Sequence, residues 1–195
     1  VAEVLAPIAE YPEIQFSLKM RLGWENASEC MVLVELLNTL RLSRIALHAR
    51  TGKQQYKGHP DLEAFQGFYE LCQHPLYYNG DIESLSDIRQ ILTRFPLLKG
   101  VFIGRGLLSS PLLAKEFKGN ETFLPEQRMS IYFAFHEELF SAYSQVLQGE
   151  TQLLVKMKTL WEYFLPETDR KLLKRIKKST RLQQYTESVK AIFTS

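Results

Sequence analysis

The sequence lacks the features that would place it in a membrane or build it around a metal. It has no apolar run of the roughly 18 or more residues that a membrane-spanning helix needs. Its two cysteines, Cys30 and Cys72, and the histidines His59, His74 and His136 show no metal-ligand spacing. We therefore expect no membrane span and no metal. The two thiols are expected to be reduced, as in a cytoplasmic protein.

A strong excess of one charge is also missing, since the chain carries 24 Lys or Arg and 22 Asp or Glu. The balance is uneven along the chain, because residues 1–123 have 13 basic and 14 acidic residues and residues 124–195 have 11 and 8. Such a basic excess can bind a polyanion, although a solvated helix face has the same composition and stays an alternative. The basic residues cluster at Arg170, Lys171, Lys174, Arg175, Lys177, Lys178 and Arg181.

What the sequence does have is an alternation of short strand-like runs and helical stretches. Strands are predicted near 15–22, 44–48, 76–78 and 100–103, and helices over 29–42, 61–72, 86–95 and 111–117. Four β-α units in succession predict an α/β fold with a parallel sheet and crossover helices. Four units make the second half of a (β/α)8 TIM barrel, which typically needs about 250 residues in full.

The pattern changes after a linker-like segment at 118–121. Beyond it only helical spacing is found, over 125–147, 152–164, 167–178 and 182–193, which predicts an all-α helical bundle. The expected domains are therefore 1–118 and 124–195. The chain does not begin with Met and has no signal-peptide pattern at its start, which favours a segment of a longer protein.

Polar side chains gather where each predicted strand ends, which is where barrel enzymes place their active sites. The motifs are Ser-Leu-Lys-Met-Arg-Leu-Gly-Trp at 17–24, His-Ala-Arg-Thr at 48–51, Asn-Gly-Asp-Ile at 79–82 and Ile-Gly-Arg-Gly at 103–106. In this order and at these separations, from about residue 14 to 111, they resemble the tRNA-dihydrouridine synthase family. The helical tail, with Lys158 and Trp161, is similar to the C-terminal domain of that family.

The resemblance implies a flavin mononucleotide (FMN) site at these strand ends. Gly80 and Gly104 would let backbone amides approach phosphate, and the helix that begins near Ser84 would offer its positive N-terminal end. Lys19 would lie beside the flavin ring and tune it, and Arg105 would contact phosphate. The predicted cofactor-binding residues are Lys19, His48, Asn79, Gly80, Asp81, Gly104 and Arg105.

The implied reaction is the reduction of uridine in tRNA to 5,6-dihydrouridine, with NADPH as the reductant of FMN. The target base would leave the RNA stack, and the basic tail would hold the tRNA body by phosphate contacts. The predicted RNA-binding residues are Arg50, Lys53, Tyr56, Lys158, Lys174, Arg175, Lys177 and Lys178.

One part of the family pattern is missing, because its catalytic cysteine stands in an Asn-x-Gly-Cys-Pro type motif that this sequence lacks. We therefore predict no catalytic residue in this chain and expect that the chain alone does not complete the reaction. A half-barrel has open sheet edges, through which dimerisation is a further expectation. Two alternatives stay open: a non-catalytic RNA-binding module of that family, and another FMN barrel oxidoreductase acting on a small molecule.

Overall fold

The computed structural model describes residues 2–194. The chain divides into two compact units, and the boundary falls between Gly104 and Arg105. The first unit holds a sheet of four strands in the order β1-β2-β3-β4, and all three pairings are parallel. The predicted α/β fold with a parallel sheet is therefore confirmed. The elements of this unit are α1 (Ala2–Leu5), α2 (Pro7–Glu10), β1 (Phe16–Gly23), α3 (Glu29–Thr39), β2 (Leu42–Thr51), α4 (Leu62–Leu71), β3 (Leu76–Asn79), α5 (Leu85–Arg94) and β4 (Gly100–Phe102).

The crossover helices cover the apolar face of this sheet. Each strand pairs with the next one along the chain, so the right-handed crossovers α3, α4 and α5 lie on the same side. Side chains of alternate strand residues that point to this side are buried, among them Leu22, Ile45, Leu47 and Tyr78. The opposite face of the sheet carries polar side chains, among them Arg21, His48 and Asn79.

The second unit consists of helices in the part that the structure describes. Their core is buried around Met157, Trp161, Ile176 and Tyr185. The unit begins with α6, before the linker that the sequence predicted, so α6 and α7 group with the later helices. Its elements are α6 (Arg105–Ser109), α7 (Leu113–Gly119), α8 (Pro125–Val146), α9 (Glu150–Leu160), α10 (Arg170–Lys178) and α11 (Leu182–Phe193).

Two absences concern residues 2–194 only. No helix in that range is both long and apolar enough to cross a membrane. Over the same residues, no group of three or more His, Cys, Asp or Glu side chains is arranged to hold a metal ion.

Candidate functional site

The strand register brings four polar side chains onto one face of the sheet near its carboxyl edge. Arg21 lies opposite His48, and His48 lies opposite Asn79. Lys19 is two residues before Arg21 and therefore points to the same side. We call these four residues, Lys19, Arg21, His48 and Asn79, the polar face. The sequence predicts polar residues at the ends of these strands, and the register shows that the four side chains share one side of the sheet.

Arg21 fixes the loop that follows β2. Its guanidinium donates to the carbonyl oxygens of Thr51 at 2.7 Å and Gln55 at 3.1 Å. It also lies 5.8 Å from the centre of the Tyr56 ring. The sequence places Arg21 beside Lys19 at the period of a strand, but it was not among the predicted binding residues. Its contacts hold the loop after β2 against the polar face.

His48 is a buried neutral base in the middle of the polar face. Only 6% of the residue is exposed, and burial, with the positive charges of Arg21, Lys19 and Arg50, lowers its pKa to about 4. The imidazole is therefore neutral at pH 7 and can donate one hydrogen bond and accept another. The neutral ring adds no positive charge to those of Lys19 and Arg21.

Arg50 is placed differently from the sequence interpretation, which assigned it to RNA. It is fully buried, and its guanidinium donates to the carbonyls of Lys57 at 2.6 Å and Gly58 at 2.8 Å and forms an ion pair with Asp81. The guanidinium has no exposed surface in this conformation and fixes the loop through these contacts, and RNA contact by Arg50 stays a prediction. Asp81, a predicted cofactor-binding residue, has its carboxylate engaged by the same guanidinium.

The two predicted phosphate-site glycines differ in their surroundings. A Cβ on Gly80 would lie 2.0 Å from the Tyr78 hydroxyl oxygen, so the space at Gly80 is filled by that buried ring. A Cβ on Gly104 would meet no described atom within 4 Å. Gly104 therefore leaves open space beside its backbone, and Gly80 makes room for Tyr78. Asn79 donates its side-chain N–H to the carbonyl of Phe102 at 2.9 Å, which ties β3 to β4.

The N-terminus of α5 already holds a carboxylate. Asp87 accepts from the backbone N–H groups of Glu83 at 3.0 Å and Ser84 at 2.8 Å, and Ser84 accepts from Asp87 N–H in return. This capping box satisfies the helix end. The expectation that this end would receive the phosphate is therefore not supported by its local geometry.

The other predicted binding residues of the first unit lie in the loop after β2. Lys53 forms an exposed ion pair with Glu25. Tyr56 is 61% exposed, and its ring centre lies 6.4 Å from that of His48. Both side chains are accessible beside the polar face.

Neither thiol belongs to the polar face. Cys30 is buried on α3, where burial raises its pKa to about 11, and its Sγ–H donates to the carbonyl of Ala27 at 3.2 Å. Cys72 caps α4, and burial raises its pKa as well. A raised pKa keeps a thiol protonated and unreactive at pH 7.

In the second unit, the basic helix α10 presents its charges to solvent. Four of its basic residues line an open groove of about 410 Å³ beside α11, namely Lys171, Lys174, Arg175 and Lys178. Lys177 is exposed on the same helix. Lys158 is half-buried and donates to the carbonyl of Ser179, so its charge supports the end of α10. Arg105 is the first residue of α6.

Comparison with known proteins finds relatives of one kind. The chain is 35% identical over 100 residues to a probable tRNA-dihydrouridine synthase of Rhizobium leguminosarum bv. phaseoli, which covers 51% of the chain and 31% of that protein. It is 36% identical over 105 residues to one of Aquifex aeolicus, covering 54% and 33%. It is 25% identical over 130 residues to tRNA-dihydrouridine synthase B of Vibrio vulnificus, which covers 65% of the chain and 40% of that protein. The chain thus spans less than half the length of these relatives.

The similarity is not confined to the sheet. The sequence profile described as dihydrouridine synthase matches residues 1–194, which takes in both compact units. The chain belongs to the dihydrouridine synthase family.

Proposed function

We propose that this chain is the C-terminal part of an FMN-dependent tRNA-dihydrouridine synthase. The observation that carries the proposal is the polar face, where Lys19, Arg21, His48 and Asn79 meet on one side of the sheet at its carboxyl edge. In parallel α/β folds this edge is where ligands bind. The relatives named above support the same reaction class.

The residues present fit a flavin phosphate and ring. Open space beside Gly104 allows a phosphate to approach the backbone, and Lys19 is exposed and cationic. When bound, FMN supplies hydride transfer between NADPH and the uracil ring of tRNA. Lys19 would place positive charge beside the flavin ring. His48 would hold a hydrogen bond through its neutral imidazole, since its pKa lies at about 4. The Asn79–Asp81 turn would complete the ribityl surroundings.

The proton that the uracil ring needs would come from outside this chain. Cys30 and Cys72 lie on helices, and burial raises the pKa of both thiols. We propose that the family's cysteine acid stands in the preceding half of the barrel. NADPH-dependent formation of dihydrouridine in a tRNA transcript, measured with the protein at its full natural length, tests the reaction. A protein that binds tRNA but neither FMN nor NADPH would overturn it and favour the RNA-binding module.

We propose further that residues 124–195 form the family's helical tRNA-binding domain and that the groove beside α10 holds the tRNA backbone. Replacing Lys174 and Lys178 with Gln should weaken tRNA binding and lower the slope of log affinity against log salt by about 1 for each lost phosphate contact. Fluorescence anisotropy over a range of salt concentrations measures this slope. Lys190→Gln, an exposed change on α11, is the control and should leave it unchanged. An unchanged slope in the double variant would exclude this groove.

A further inference from the structure

Trp24 is a large aromatic side chain that the fold presents to solvent directly after β1. It is 65% exposed, whereas Trp161, the other tryptophan of the chain, is 2% exposed. Tryptophan is enriched at binding surfaces because its ring supplies a large contact area for the loss of only two side-chain torsions. An indole held outside the core at the rim of a candidate site is therefore a candidate contact.

The backbone around Trp24 is fixed on two sides. The carboxylate of Glu29 accepts from the N–H groups of Trp24 at 2.8 Å, Glu25 at 2.9 Å and Asn26 at 2.7 Å. The carbonyl of Trp24 accepts from the N–H of Lys53 at 2.9 Å. The loop thus holds the indole in one place, which lowers the entropy cost of binding through it.

Gly52 lies directly under the six-membered ring of Trp24. A Cβ at Gly52 would come within 2.4 Å of Cε3 and 2.9 Å of Cζ3 of the indole. The glycine therefore lets the ring rest against the backbone of the loop after β2. Over residues 2–194, no other aromatic ring and no cationic side chain stacks on this indole, so the exposed part of the ring is open to a ligand.

Two lysines lie in the loop on which the Trp24 ring rests, and one of them, Lys53, forms an exposed ion pair with Glu25. The loop over residues 52–60 carries Lys53 and Lys57 and no carboxylate. The exposed ring of Tyr56 belongs to the same loop, and its centre lies 5.8 Å from the guanidinium of Arg21 on the polar face. Cationic side chains between exposed aromatic rings are the combination by which proteins hold single-stranded RNA, through phosphate contacts and base stacking.

We propose that Trp24 stacks on an unpaired nucleobase of the tRNA substrate, next to the uridine that enters the polar face. The inference rests on the proposed function, since it assigns a contact to the same RNA. RNA bases that stack on aromatic side chains are unpaired ones, and Trp24 follows directly on the strand that carries Lys19 and Arg21, so the proposed contact is a nucleotide that flanks the uridine.

Fluorescence titration with an unmodified tRNA transcript tests this contact in the protein at its full natural length. The difference in emission between the wild type and Trp24→Phe isolates the signal of Trp24. We expect tRNA to quench that signal. Trp24→Leu should weaken tRNA binding roughly tenfold, because a stacked base loses its aromatic partner. Trp24→Phe should weaken it less, because it keeps an aromatic ring.

The outcomes separate this inference from the proposed function. Quenching together with the order wild type, Phe variant, Leu variant in tRNA affinity supports stacking. Normal tRNA binding with an unquenched Trp24 and equal affinities in all three proteins overturns the inference and leaves the proposed function standing. Failure of the wild type to bind tRNA overturns both.

Discussion

Replacing Arg50 with Met is expected to lower the free energy of unfolding by about 3 kcal/mol. The change removes the Arg50 guanidinium from the Asp81 carboxylate and from the carbonyls of Gly58 and Lys57, of which the Lys57 carbonyl still accepts from Gln54 Nε2. Breaking a buried pair from one side costs about 3–5 kcal/mol. The side chain of Asp81 is 31% exposed, so water hydrates its carboxylate after the change. The expected loss therefore lies at the low end of that range.

Urea denaturation followed by circular dichroism measures the effect of Arg50→Met. The matched control is Arg44→Met on the same strand, where the guanidinium is exposed and lies 5.9 Å from the centre of the Phe102 ring. An exposed contact of this kind is worth about 0.5–1 kcal/mol. If the two variants were equally stable, Arg50 would not fix the loops as its contacts indicate.

The second large effect is expected for Tyr185→Phe, in the core of the helical unit. The Tyr185 hydroxyl accepts from Trp161 Nε1–H at 2.9 Å and lies 2.7 Å from His136 Nε2. The Glu137 carboxylate can only accept, so His136 Nδ1–H donates to it at 3.1 Å, and Nε2 of the neutral ring then accepts the proton of the Tyr185 hydroxyl. Burial lowers the pKa of His136, which keeps the ring in this neutral form.

Removing that one oxygen leaves two buried polar atoms without partners. Each unsatisfied buried group costs about 1–3 kcal/mol, so Tyr185→Phe should lose roughly 2–6 kcal/mol. The fluorescence of the buried Trp161 during urea denaturation reports the loss. Tyr163→Phe, in the same unit with a 39% exposed ring, should change stability by less than about 0.5 kcal/mol. A Tyr185→Phe protein as stable as the Tyr163→Phe control would contradict the hydrogen-bonded chain.

The sheet and the polar face could be predicted because their signals are local. Short strands alternate with amphipathic helices, and a period of two residues places Lys19 and Arg21 on one side of β1. Parallel pairing then brings His48 and Asn79 to the same level. The order of the strands along the chain is enough to place these ends together.

The partners of Arg50 and Gly80 could not be predicted, because one lies far along the chain and the other depends on the conformation of a neighbouring side chain. Arg50 binds Asp81, 31 residues later in the chain, and an arginine at a strand end looks the same in the sequence whether it is buried or exposed. Gly80 suits a turn or a phosphate equally well, and only the structure shows the Tyr78 ring beside it. Burial of a side chain by a loop is a tertiary effect that local pattern does not encode.

The capping box of α5 is a different case, because its signal was present. Ser84 followed three residues later by Asp87 is the spacing of a self-capped helix N-terminus. The short helix α6 carries no comparable sequence signal, because its five residues are too few to show a helical period. The resemblance placed a phosphate at the end of α5, whereas the local sequence already supplied a carboxylate there.

Flavin binding tests the central claim most directly, because the proposed function depends on the polar face holding FMN. FMN is titrated into the protein at its full natural length, freed of flavin, and quenching of flavin fluorescence gives the affinity. We predict that Lys19→Met lowers this affinity roughly tenfold or more, and that Lys99→Met, an exposed change at the opposite end of the sheet, leaves it unchanged. Equal FMN affinities in the wild type and Lys19→Met, or no FMN binding by the wild type, would contradict the account.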